Sequence, residues 1–107
     1  MSESLTLAAL AGPLRALWLL AADCAGLPAP YVDVSPIYPN QVRFRFHDDL
    51  TAFEAWREAL NLPADTVTYR EQSGRTRVLT ATTEYAGVDL ELVAYAEIPD
   101  PTRAVRA

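Results

Sequence analysis

Between residues 41 and 60 the apolar period of the chain changes, from two to between three and four. In QVRFRFH, Val42, Phe44 and Phe46 alternate with Gln41, Arg43, Arg45 and His47. Side chains alternate across a strand, so this segment has one buried and one solvent-facing side. In DDLTAFEAWREAL, Leu50, Phe53, Trp56 and Leu60 recur at helical spacing, which puts them on one stripe of a helix. Asp48 and Asp49 stand at the junction, where a carboxylate can accept from the free N–H groups of a helix start. The two apolar faces, Val42/Phe44/Phe46 and Leu50/Phe53/Trp56/Leu60, are expected to meet in one core.

The same logic extends outward. Leu7, Leu10, Leu14, Leu17 and Ala21 share helical spacing, which predicts a first helix with that stripe buried. Pro13 has no N–H, so it either kinks this helix or stands at its first position. Gly26, Pro28 and Pro30 bound the helix on the far side. Tyr31–Tyr38 is expected as a strand, at an edge or bulged because of Pro36, with Pro39-Asn40 as the following turn. Asn61 and Pro63 end the second helix. Ala86-Gly87 is expected as a two-residue hairpin loop pairing Tyr85 with Val88, Thr83 with Leu90, Ala81 with Leu92 and Leu79 with Ala94. A three-residue loop over 72–74, with Gly74 at positive φ, would pair Val67 with Leu79 and Glu71 with Arg75.

The predicted fold is α+β: a two-layer sandwich of order α-β-β-α-β-β-β, with two helices on one face of a mainly antiparallel five-stranded sheet. Residues 1–98 are expected to form a single domain and 99–107 a frayed tail. Half of the 107 residues are apolar, so no metal or disulfide is needed to hold such a domain together.

Composition restricts the functional classes. A net charge of −5 opposes general nucleic-acid binding, which needs a positive field. All basic residues are arginine, which reads as a coding bias. One cysteine, Cys24, excludes an internal disulfide, and the expected compartment is the cytoplasm. The apolar N-terminus lacks the basic start of a signal peptide, and Gly12, Pro13 and Arg15 interrupt it, so no membrane association is expected. There is no phosphate loop, dinucleotide fingerprint or nucleophile elbow. No cofactor, no metal and no catalytic residue are therefore expected.

Three clusters remain as candidates. His47-Asp48-Asp49 holds the only histidine and could bind a metal or act as a base. Adjacent strand residues point to opposite faces, however, so helix capping is the default. Arg43, Arg45 and Arg70 are expected on the outer sheet face, where they could hold an anion or nucleic acid. Pairing with Asp89, Glu91 and Glu97 is the simpler alternative. Val78, Thr80, Val93 and Tyr95 are expected together on that same face, which two helices on the other side leave open. An apolar cluster there suggests self-association, as a homo-oligomer, or a protein partner. Cys24 reads as a small core residue, and Trp18 and Trp56 as core packing. Tyr31, Tyr38 and Tyr95 could stack bases only on an open sheet.

LPAPYVDVSPIYPNQVRFRF followed by DDLTAFEAWREALNL resembles small proteins of unassigned activity in high-GC actinobacteria and their mobile elements. The resemblance spans roughly residues 14–98 and carries no catalytic motif. It implies a cytoplasmic accessory protein and assigns no residue a role.

Overall fold

The computed structural model describes residues 5–98, so the expected tail over 99–107 lies outside the described residues. A 3₁₀ turn, Leu7–Leu10, leads into α1 (Ala11–Asp23). The chain continues through β1 (Tyr31–Ser35), β2 (Tyr38–His47), α2 (Leu50–Ala59), a second 3₁₀ turn (Ala64–Thr66), β3 (Thr68–Gln72), β4 (Thr76–Tyr85) and β5 (Val88–Glu97). The fold is α+β, and the five strands lie in the order β1-β2-β5-β4-β3. Neighbours are antiparallel except β2 and β5, which run parallel from Gln41↔Asp89 to His47↔Tyr95. No described helix is long and apolar enough to cross a membrane.

The parallel pair follows from the crossover. After β2, α2 passes over the sheet and delivers the chain to the far edge, from which β3, β4 and β5 return as a meander. The two expected packing faces do meet. Phe44 and Trp56 approach edge-on at 4.9 Å between ring centroids, and Phe46 and Phe53 at 6.0 Å. Val42, Phe44, Phe46, Phe53, Trp56, Leu90 and Leu92 are all buried in one cluster. Truncating one such aromatic to alanine costs about 3–5 kcal/mol. Trp56 Nε1 also donates to the Pro28 carbonyl at 2.7 Å, which satisfies the indole inside the core and ties down the α1–β1 connection.

The β4–β5 hairpin has the expected register throughout, from Tyr85↔Val88 to Leu79↔Ala94. Both loop residues, Ala86 (φ 51°) and Gly87 (φ 81°), are left-handed, as a two-residue hairpin twisted with its strands requires. In the β3–β4 hairpin the loop is residues 73–75. The pairs are therefore Tyr69↔Leu79 and Glu71↔Arg77, rather than Val67 with Leu79 and Glu71 with Arg75. Ser73 (φ 59°) joins Gly74 (φ 68°) in the left-handed region, which moves the turn one residue along. The two registers have the same parity, so no side chain changes face.

Three further expectations are corrected. β1 ends at Ser35 and not at Tyr38, because Ser35 Oγ accepts from the Ile37 amide at 3.0 Å and closes a turn over Pro36-Ile37. Pro39-Asn40 then lies inside β2. Pro39 is tolerated because it falls in the irregular stretch between the Asp33↔Arg43 and Ser35↔Tyr38 pairs and ahead of the first β5 pair at Gln41, so its missing N–H breaks no ladder pair. The third concerns α1. The residues it buries are Pro13, Ala16 and Leu20, whereas Leu7, Leu14 and Ala21 of the expected stripe are exposed and Leu17 is half-buried. Trp18, expected in the core, is 75% exposed.

Candidate functional site: the outer face of the sheet

Both helices pack on the inner face, α1 over β2 and β5 and α2 over the same two strands. No described helix lies on the outer face. Strand alternation places Tyr31 and Asp33 of β1, Arg43, Arg45 and His47 of β2, Glu91, Val93 and Tyr95 of β5, Val78 and Thr80 of β4, and Arg70 of β3 on that side.

The register brings Val78, Thr80, Val93 and Tyr95 together: Val78 pairs with Tyr95 and Thr80 with Val93. Their exposure differs from a bare apolar patch. Val78 and Val93 are 1% and 5% exposed, although no helix covers them, and neither belongs to the main core cluster. Their cross-strand neighbours are long: Arg70 and Tyr95 flank Val78, and Arg45 flanks Val93. Long side chains at those positions can lay their stems over neighbouring apolar residues, which accounts for the low exposure of the valines. Thr80 and Tyr95 are half-buried.

The arginines are largely engaged. Arg43 Nε donates to Glu91 Oε1 at 2.6 Å. Arg45 binds Asp33 through two nitrogens, Nε at 2.5 Å and Nη2 at 3.3 Å. That bond, opposed by desolvation, raises the Arg45 pKa above its ordinary value. Arg70 makes no ion pair with the described residues. Two of the three expected anion ligands are thus neutralised by carboxylates on the adjacent strands.

His47 sits among rings. It stacks on Tyr95 at 5.2 Å and 12°, and meets Tyr31 edge-on at 5.2 Å. Arg45 Nη1 lies 3.1 Å from His47 Nε2. A guanidinium can only donate, so Nε2 accepts and the proton of a neutral ring resides on Nδ1. The Arg45 guanidinium also lies 5.4 Å from the Tyr31 ring centre. Three rings therefore run across β1, β2 and β5, with one arginine braced against them. Beside them His47, Asp48, Arg75, Tyr95 and Glu97 border an open recess of about 560 Å³.

The two aspartates after His47 divide their work. Asp49 caps α2, accepting from the Ala52 amide at 3.0 Å. Asp48, in the left-handed region at φ 55°, instead joins β2 to the end of β5. Its amide donates to the Tyr95 carbonyl at 2.7 Å, and its Oδ1 accepts from the Glu97 amide at 3.2 Å. Among the described residues no group of three or more His, Cys, Asp or Glu side chains is placed to hold a metal ion. Burial, with the Asp23 carboxylate as a secondary cause, pushes the Cys24 thiol up, which opposes nucleophilic use.

No family model, curated protein or solved structure matches this chain.

A second region emerges only in three dimensions. Cys24, Leu17, Ala21, Leu27, Val32 and Trp56 border an apolar recess of about 250 Å³ between the end of α1 and the β1 edge. Of the exposed large apolar residues, Leu7, Leu14, Trp18, Leu19, Tyr31 and Val32 belong to α1, the turn before it, or β1, whereas Ile37, Tyr38 and Tyr69 lie elsewhere. The 3–4 repeat of α1 was the available signal. It marked an apolar stripe correctly but did not reveal that Leu7, Leu14 and Ala21 stay exposed while Leu17 packs against the core.

Proposed function

We propose that this chain is a non-enzymatic protein-interaction module that presents the outer face of its sheet to another protein. The observation that carries this reading is a five-stranded sheet with both described helices on one side. The outer face offers Tyr31, His47 and Tyr95 as rigid rings within a rim of matched charges, the composition that contact surfaces favour. The proposed setting is the cytoplasm, as an accessory or regulatory protein, and no cofactor is invoked. The test is capture with wild-type, Tyr31→Ala and Tyr95→Asp baits, followed by rebinding of each captured protein in purified form. A partner that binds wild type at least tenfold more tightly than both variants supports the reading. Equal binding to all three, or no partner that rebinds, overturns it.

One observation favours a second reading. The ring row with Arg45 beside it has the layout of a stacking platform for unpaired bases, and Arg70 remains available for a phosphate. Fluorescence anisotropy with labelled single-stranded DNA and RNA at low salt tests it. Binding that falls with salt and with Arg70→Ala supports the platform, and flat titrations exclude it. The net charge of −5 makes this the weaker of the two readings.

A further inference from the structure

We infer that the free edge of β1 is a docking site for an extended segment of another protein, which joins the sheet as a further strand and carries an apolar–basic–apolar alternation. The contact uses the backbone of β1, its helical side and Asp33. It does not depend on the ring row of the outer face.

The edge is open. β1 ends the strand order, and among the described residues only β2 pairs with it. No backbone group of a described turn or loop bonds to Tyr31–Ser35. An edge strand turns half of its N–H and C=O groups away from its neighbour. That row of donors and acceptors specifies its occupant, because another strand matches it and a helix does not.

The two edges of the sheet differ. β3 is exposed at every residue and carries Arg70 on one face and Glu71 on the other, charges of the kind that blunt an edge. β1, YVDVS, has no lysine, arginine or proline. Its helical side presents Val32 and Val34, and Val32 is 45% exposed. Val32 also borders the apolar recess of about 250 Å³, together with Leu27, Pro28 and Pro30. On an added strand, the residue opposite Val32 has its Cβ about 5 Å away on the same side. An apolar side chain there covers Val32 and stands at the border of the recess. Alternate positions of the added strand therefore favour apolar residues.

Between the valines lies Asp33, on the outer side. Arg45 binds it from β2 through two nitrogens, yet its side chain remains 41% exposed. A carboxylate accepts more than two hydrogen bonds. An arginine or lysine opposite Asp33 on the added strand uses that capacity in a cross-strand charge pair. The net charge of −5 favours a basic segment in the same sense. A second copy of the chain does not meet this requirement. The antiparallel register that overlaps the whole of Tyr31–Ser35 sets Asp33 against Asp33 of the copy, and like charges directly opposite destabilise a pair of strands.

The probe is a fluorescein-labelled peptide, Gly-Ser-Leu-Arg-Leu-Ser-Gly, whose pattern reads the same in both directions and suits a parallel or an antiparallel addition. Fluorescence anisotropy with the full chain should show saturable binding with a dissociation constant below about 1 mM. Glutamate in place of the peptide's arginine should weaken binding at least about tenfold, and so should Val32→Asp in the protein. Val32 is exposed at the edge, so Val32→Asp should stay folded, which circular dichroism checks. The peptide variants leave the protein untouched and test the site independently of that. Tyr95→Asp should bind the peptide as wild type does, and a loss there would move the peptide to the ring row and overturn the edge site. The decisive variants carry N-methyl groups on alternate peptide residues. Methylating one alternate set should abolish binding, because those N–H groups face β1, and methylating the other set should leave it intact. No binding up to about 1 mM, equal losses from the two methylated sets, or indifference to Val32→Asp overturns strand addition here. A chain that dimerises and dissociates as the peptide binds would make a second copy the occupant and overturn the partner chemistry.

Discussion

Asp48 and Asp49 show how two identical neighbours come to do different jobs. One backbone angle separates them. At φ 55° Asp48 turns its carboxylate back toward β5, and Asp49, at φ −141°, aims its own at the first turn of α2. Asp49→Ala should therefore destabilise the fold by about 1 kcal/mol, the usual cost of losing a helix cap. The midpoint of a urea titration reads this directly, and an unchanged midpoint would mean that the cap bond contributes nothing. Tyr85 gives a pH prediction. Its phenol donates to Asp23 at 2.8 Å, and that bond, followed by burial and the Asp23 charge, raises its pKa above the ordinary 10.0. A group whose folded pKa is raised adds stability in its protonated form. The contribution is complete below 10.0 and disappears as pH climbs through the higher folded value. Melting temperatures of wild type and Tyr85→Phe should therefore converge in strong alkali and differ at neutral pH. Curves that stay parallel across that range would show that the phenol proton is not linked to folding. The tyrosine is half-buried, so solvent screening keeps the effect small.

At the scale of elements, what could be read in advance depended on how far the deciding interaction lies along the chain. The β4–β5 hairpin was legible because its loop is two residues long and its faces alternate without interruption. The β3–β4 register was not, because it turns on whether Ser73 adopts a left-handed backbone, and a non-glycine residue does not advertise that. α2 was legible because its only apolar stripe faces the core. α1 has apolar residues on more than one side, so periodicity located a stripe without revealing which side the sheet takes. The sheet takes the Pro13/Ala16/Leu20 face, whose side chains are fully buried. The β4–β5 turn carries its own prediction. Ala86 holds φ 51°, which costs an alanine about 1 kcal/mol or more. Asparagine tolerates this region, and Asn-Gly is the preferred pair for such a turn. Ala86→Asn should stabilise the protein by about 0.5–1 kcal/mol, seen as a higher urea midpoint with an unchanged slope. A loss of stability would show that the turn is not under strain.

At the scale of the whole molecule, the two layers leave two different surfaces. The outer sheet face buries its own valines and pairs Arg43 with Glu91 and Arg45 with Asp33, so it suits a polar, adaptable contact. The α1 flank keeps Leu14 and Trp18 exposed. A difference in thermal behaviour follows from the reading of the sheet face as a contact surface. If the protein it meets is a second copy and the dimer persists to the melting point, unfolding and dissociation are one step, and mass action makes the melting temperature depend on concentration. Each tenfold increase then adds about 1.4 kcal/mol per dimer. Spread over the unfolding entropy of two chains of this length, that is about 3 °C. Differential scanning calorimetry over two decades of concentration should show this slope in wild type and in Trp18→Ala. In Tyr95→Asp the slope should vanish, because the dimer no longer survives to the transition. A slope that disappears with Trp18→Ala and survives Tyr95→Asp would move self-association to the helical layer, and no slope in wild type would leave the sheet face to a different protein.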